Sequence, residues 1–200
     1  MISVLFARVD SVYKDLGCDV WDIDRDARKF DGTGPVICHP PCRSCGSLRM
    51  LAKPLPGEKE LSVFAVGEVR RCGDVLEHPR ASTLWEHAGL PAPCRLDVYG
   101  GWTLPVDQYW WGHEARKRTF LYVVGVMAAD VPSIPLVLGR APKVIGSPSR
   151  LSDGSRKRKG CTGWRPSVDK NKFDVTPPEF AAWLIELAGR CSVKSERRAA

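Results

Sequence analysis

Pro40-Pro41-Cys42-Arg43 follows the apolar run Pro35-Val36-Ile37-Cys38 after one residue, His39, so a buried strand leads into a rigid turn that presents a thiol. A thiol attacks as its thiolate, and neighbouring positive charge is what lowers its pKa from about 8.5. Val75-Leu76-Glu77-His78-Pro79 repeats the design with a carboxylate: a short apolar run ending in polar groups and a proline. A third block, Gly112-His113-Glu114-Ala115-Arg116-Lys117-Arg118, sets cations just ahead of the strand-like Thr119-Phe120-Leu121-Tyr122-Val123-Val124-Gly125. In a parallel sheet the first two strand ends share one edge, where open α/β sheets bind their ligands. A nucleophile, a carboxylate and cations gathered there suit covalent catalysis.

In chain order and interval these blocks resemble the DNA cytosine-5 methyltransferases. In that family a Pro-Cys turn carries the nucleophile, a Glu-Asn-Val block binds the base, and a Gln-x-Arg-x-Arg block precedes a strand ending in Gly. Val4-Leu5-Phe6-Ala7 resembles the family's first strand. Asp22-Ile23-Asp24-Arg25-Asp26-Ala27 is similar to its Glu-x-Asp-x-x-Ala block, and Val175-Thr176-Pro177-Pro178-Glu179-Phe180-Ala181 to its Leu-Thr-Pro-Arg-Glu block.

The resemblance implies a set of roles. The Cys42 thiolate adds to carbon 6 of cytosine and so makes carbon 5 nucleophilic toward a methyl group. Glu77 contacts N3 and the exocyclic amine, Arg118 grips the O2 carbonyl, and Arg116 supports the loop. S-adenosylmethionine, the implied cofactor, contacts Phe6, Asp22 and Pro40. The substrate is DNA with the base turned out of the stack. Arg43, Arg156, Lys157, Arg158 and Lys159 are the implied phosphate contacts. An enzyme of this kind is expected among phage or prophage genes, working in the cytoplasm of a bacterial cell.

The chain departs from the family at several points. Phe6-Ala7-Arg8-Val9-Asp10 stands where the family has Phe-x-Gly-x-Gly, Glu77-His78-Pro79 replaces Glu-Asn-Val, and Glu114 stands in place of Gln. Twelve residues separate Ala27 from Pro40, too few for the strand-helix unit the family places there. The closing Gly-Asn-x-Val block is missing, and no separate target-recognition domain fits between Gly125 and Thr176. A second function class therefore stands beside the enzyme: a catalytically inactive relative that binds DNA through its base pocket and basic loop.

The same turn also reads as half a zinc site, because His39, Cys42 and Cys45 follow a His-x-x-Cys-x-x-Cys spacing. No second pair lies at the usual spacing, and the upstream His-x-Glu of the zinc deaminases is missing. No metal is expected.

The elements that position these groups follow from periodicity. Residues 2–7, 20–23 and 36–38 read as short buried strands, with a helical turn at 11–16. Leu61, Phe64, Ala65 and Glu68 recur at helical spacing and predict a helix over 58–71 that Gly73 ends. A strand begins at Val75, giving alternating strand and helix and hence an α/β fold. The expected form is a truncated Rossmann-like, class I methyltransferase-type sheet, mostly parallel, with helices on its faces. Residues 130–148 are Pro-rich and irregular, with one short strand at 134–138. A last helix runs over 178–190 on the apolar face of Phe180, Trp183, Leu184 and Leu187, with a frayed charged tail. Residues 1–130 thus form the core, 131–175 a Pro-rich and basic loop region, and 176–200 the docking helix with its tail.

Composition bounds the function. With 200 residues and 44% hydrophobic side chains, one sizeable core is possible. The longest apolar stretch, residues 120–129, is too short for a membrane span, and no signal-peptide pattern opens the chain. The 8 cysteines lie scattered in a chain too long for a small disulfide scaffold, so reduced thiols in an intracellular protein are expected. The net charge of +7 is uneven. Residues 140–200 carry 14 Lys and Arg against 6 Asp and Glu, whereas residues 1–139 carry 16 against 17. Such a basic segment suits phosphate contacts.

Overall fold

The computed structural model describes residues 1–46, 49–146, 154–155 and 158–199, the last eight by backbone alone. Within it the short apolar runs alternate their side chains between two faces of a sheet, as strand geometry requires. Six strands, β1 (Ser3–Leu5), β2 (Asp19–Trp21), β3 (Val36–Cys38), β4 (Asp74–Pro79), β5 (Trp102–Asp107) and β6 (Arg118–Val124), pair in the order β2-β1-β3-β4-β6-β5. β1 to β4 run parallel, and β6 is antiparallel to both β4 and β5. The fold is therefore α/β with a mostly parallel sheet.

Helices cover both faces. On one side Val4, Ile37, Val75, Leu121 and Val123 meet Phe180, Leu184 and Leu187 of helix α3 (Pro178–Ala199). On the other, Leu5, Val36, Cys38, Leu76, Tyr122 and Val124 meet Ala65, Val66 and Val69 of helix α1 (Glu58–Cys72), with Leu84 and Trp85 of the short helix α2 (Leu84–His87) beside them. Every strand lies within residues 1–130. Backbone bridges from Ala115 to Lys143 and from Val144 to Ser167 tie the following loop region to the core.

Several expectations are corrected. Residues 134–138 form no strand: Pro132 and Pro135 remove ladder donors, and the Leu136 N–H turns back to the Ile134 carbonyl at 2.9 Å. β1 stops at Leu5 because Phe6 adopts a left-handed φ of 62°, an uncommon conformation for a bulky side chain. α3 continues to Ala199 instead of fraying after residue 190, since the tail contains neither Gly nor Pro. β5 and α2 were not expected at all.

At the far end of β4, Asp74 is buried, accepts the Val36 N–H at 2.6 Å and has φ 108°. Burial raises its carboxyl to about 7 against the opposing Cys191 and Val36 hydrogen bonds. A carboxyl raised in the native state binds more protons folded than unfolded, so its contribution is lost as pH climbs from about 4 to 7. Asp74→Asn keeps an acceptor and tolerates positive φ. Urea midpoints at pH 5 and 8 are expected to fall with pH in the wild type and to stay level in the variant.

Candidate active site

The parallel strands all end at one edge of the sheet, and β6 starts there, so the singled-out residues of the strand ends lie along that edge. Leu5 to Phe6, Trp21 to Asp22, Cys38 to Cys42, and Glu77 to Pro79 arrive from β1 to β4. Asp107, the last residue of β5, pairs with Arg118, the first of β6.

Along this edge runs a continuous hydrogen-bonded chain. The Tyr13 hydroxyl lies 2.9 Å from His39 Nε2, and His39 Nδ1 lies 3.0 Å from Glu77 Oε2. Gln108 Nε2 donates to Glu77 Oε1 at 2.9 Å and to Thr119 Oγ1 at 3.1 Å, and Thr119 in turn donates to the Lys117 carbonyl at 3.1 Å. Tyr13, Gln108 and Thr119 are buried to within 1% of full enclosure, while His39 and Glu77 keep about a tenth of their side chains exposed. Of these five groups the pair is the least enclosed.

Both Glu77 oxygens accept hydrogen bonds, which favours the carboxylate. Burial opposes its charge, yet the His39 hydrogen bond and the positive charge of Lys117 prevail and hold its pKa down to about 2. His78, on the opposite face of β4, is fully buried, and burial pushes it down to about 4, so it stays neutral.

Cys42 sits at the start of a helical turn, its carbonyl accepting the Cys45 N–H at 3.2 Å and the Gly46 N–H at 2.6 Å. A Cβ on Gly46 would come within 2.8 Å of that carbonyl, so the turn demands glycine. The thiol is half-buried. Burial and the Glu77 charge push its pKa up, while Lys117 pulls it down. Lys117 is thus the cation acting on both groups.

The two arginines have other surroundings. Arg116 is held by Asp107 at 3.2 Å and the Gly139 carbonyl at 2.6 Å and lies over the Tyr109 ring. Arg118 is exposed, and alternation along β6 puts it with Phe120 and Tyr122, away from the face that carries Thr119 and Glu77. Trp111 packs with Phe180 and Trp183 at 4.9 Å each, and Trp102 Nε1 donates to the Val126 carbonyl. These indoles serve the fold.

Beside the thiol turn opens a cleft of about 380 Å³. Phe6, Ala7, Ile23, Pro41, Leu55 and Leu61 give it apolar walls, and Asp22, Asp26, Glu58, Arg28 and Arg43 give it charge. Pro41 lines it, whereas Pro40 is buried outside it. Asp22 Oδ2 holds Lys14 at 2.8 Å, and its Oδ1 accepts the Asp24 N–H at 3.2 Å. Arg43, expected on phosphate, pairs with Glu58 across the cleft, and Glu58 Oε2 is buried with no hydrogen-bond partner.

Of the basic loop, Arg158 and Lys159 are exposed or peripheral to the core, and Arg156 and Lys157 lie outside the described residues. Among the described residues no cluster of His, Cys, Asp or Glu can hold a metal ion, and no helix is long and apolar enough to cross a membrane.

Sequence reasoning singled out Cys42 and Glu77, passed over Tyr13, Gln108, Thr119 and the placement of Lys117, and weighed His39 only as a zinc ligand. One signal was present: Gln108 is a neutral amide set directly before the aromatic run Tyr109-Trp110-Trp111. No protein-family model matches the chain, and neither does any curated protein or solved structure.

Proposed function

We propose that the chain is a DNA cytosine-5 methyltransferase-like enzyme, which moves a methyl group from S-adenosylmethionine to a flipped cytosine through a covalent Cys42 adduct. The observation that carries this reading is the Pro41-Cys42 step: Pro41 lines the cleft and Cys42 follows at once, so ligand pocket and nucleophile share one turn. The strand order supports the finer reading of the fold. The single antiparallel strand, β6, lies between β4 and β5, as expected of a class I methyltransferase-type sheet shortened beyond β2. The bacterial cytoplasm and a phage or prophage origin belong to the same proposal.

The cleft fits the cofactor in size and chemistry. Its volume of about 380 Å³ lies within the range of about 300–1,000 Å³ usual for small-molecule sites. Phe6, Ile23 and Pro41 offer apolar walls, and Asp22 and Asp26 offer acceptors for hydroxyls. Ala7, a small residue, lines the cleft beside Phe6, while Arg8 and Asp10 stand where the family has its two glycines. Bound there, S-adenosylmethionine would supply an electrophilic methyl group.

The chain's own residues do the rest. Lys117 favours the Cys42 thiolate, whose sulfur adds to carbon 6 of the base. Glu77, fixed by His39 and Gln108, accepts from the exocyclic amine and so distinguishes cytosine from thymine or uracil. Lys117 takes the electrostatic place that the resemblance gave to Arg118, and Arg118 faces outward where a phosphate is the fitting partner.

A second reading, an inactive relative that binds DNA, is favoured by two observations: burial pushes the Cys42 thiol up, and Lys14 already engages Asp22. Calorimetric titration with S-adenosylmethionine and S-adenosylhomocysteine separates the two. Binding with one site per chain at about micromolar strength, near −8 kcal/mol, is expected. No binding of either compound, with or without DNA, would remove the methyltransferase reading and leave the binding protein.

A further inference from the structure

The Tyr13-His39-Glu77 chain carries an inference that rests on the proposed function and deepens it. We propose that His39 and Glu77 together hold one transferable proton, which they give to N3 of the base as Cys42 attacks and take back when the adduct collapses. His39 is then a positioning and proton-storing residue acting through Glu77.

The need for such a proton follows from the chemistry. When the Cys42 thiolate forms its bond to carbon 6, the C5–C6 π pair shifts toward C4 and the C4–N3 pair moves onto N3. That nitrogen must gain a proton for the adduct to be a neutral enamine. The thiol proton of Cys42 leaves to solvent before the attack. An ionised Glu77 accepts from the exocyclic amine but has nothing to donate to N3. Its other direct partner, Gln108, is an amide that does not titrate, which leaves His39, 3.0 Å away, as the bonded source. Imidazolium with carboxylate and imidazole with carboxylic acid carry the same net charge, so the proton moves between them without placing a new charge in a buried site.

The partner on the far side of the ring suits this task. A phenol pairs with Nε2 in either state of the imidazole, donating to the bare nitrogen and accepting from N–H. The Tyr13 hydroxyl, 2.9 Å from Nε2 and fully buried, therefore lets His39 gain or lose a proton without losing its hydrogen bond. A carbonyl or an amide N–H in that position would hold one state only. The other titratable groups facing the pair are Cys42 from the turn after β3, His78 from β4 and Lys117 from the segment before β6, with Asp174 acting on Cys42. Burial pushes His78 down to about 4, so it remains neutral and is not the source of the proton.

The test needs no methyl donor. Addition of Cys42 with protonation of N3 makes C5 an enamine carbon that takes a proton from water. Loss of the original C5 hydrogen to water as a proton, return of the N3 proton and departure of the thiolate then restore cytosine, so mixed-sequence oligodeoxynucleotides, single-stranded and duplex, tritiated at cytosine C5 report the step as released tritium. Wild-type release is expected to fall as pH rises through the loss of the stored proton. His39→Gln is expected to be slower by about 100-fold, the lower end for general acid–base catalysis, with its alkaline decline erased. A His39→Gln variant with wild-type rate and pH profile would overturn the proton store while leaving the methyltransferase reading intact, provided Cys42→Ser releases nothing. Absence of release by the wild type would remove both. Nitrogen NMR of the His39 ring in the free protein gives an answer independent of activity and of variant folding. A proton on Nδ1, on the side of Glu77, is expected. A bare Nδ1 from pH 5 to 9 would overturn the inference.

Discussion

Cys42→Ser is expected to abolish C5 hydrogen exchange and methyl transfer, lowering both by at least ~10³-fold, while leaving the fold and its unfolding midpoint unchanged. Three decades in rate correspond to roughly 4 kcal/mol of barrier. A serine hydroxyl is far less acidic than a thiol, and the nearby Lys117 that favours a thiolate is insufficient to make an alkoxide. The structural cost is small because Cys42 shapes its turn through its backbone carbonyl, which accepts from Cys45 and Gly46 and which serine keeps. Tritium release and circular dichroism, measured side by side, check both halves. Release by the serine variant equal to the wild type would strip Cys42 of its role as nucleophile.

Cys42 was legible because a proline turn after a wholly buried strand is a local pattern, written in consecutive residues. Val36, Ile37 and Cys38 are all fully buried, as their composition demands. Glu77 was legible for the same reason. The chain that holds Glu77 was not, because its members come together only through sheet pairing: Tyr13 meets His39 across 26 positions and Gln108 meets Glu77 across 31. Gln108 also opens the turn that follows β5, a strand that Pro105 disguises and that lies at the edge of the sheet. The motif at residues 116–118 shows a different limit. Spacing alone does not tell which of three consecutive cations faces the site, and the pleat decides in favour of Lys117 over Arg118. The strand expected at 134–138 failed because apolar composition was weighed above the two prolines that deny it donors.

Glu77 carries the second large effect, and here stability and activity move together. Glu77→Ala removes the acceptor shared by His39 Nδ1 and Gln108 Nε2, and removing one partner from a buried charged pair typically costs about 3–5 kcal/mol. Glu77→Gln is gentler. Its amide nitrogen meets donors on both sides, but Gln108 Oε1 is buried without a partner and accepts from it once the Gln108 amide turns. The cost is then the lost Thr119 contact, on the order of 1 kcal/mol. Both variants are expected to lose C5 exchange, since neither offers an ionisable group at the pyrimidine edge. The two are told apart by pH. The carboxyl of Glu77 is held at about 2 in the folded chain against 4.5 ordinarily. Its contribution is therefore complete above pH 4.5 and lost as pH falls toward 2. A shift of that size corresponds to about 3 kcal/mol. Urea midpoints of wild type and Glu77→Gln should lie closer together at pH 3 than at pH 7. If both proteins lose stability in parallel over that range, Glu77 is not the group whose ionisation the edge of the sheet is built to hold.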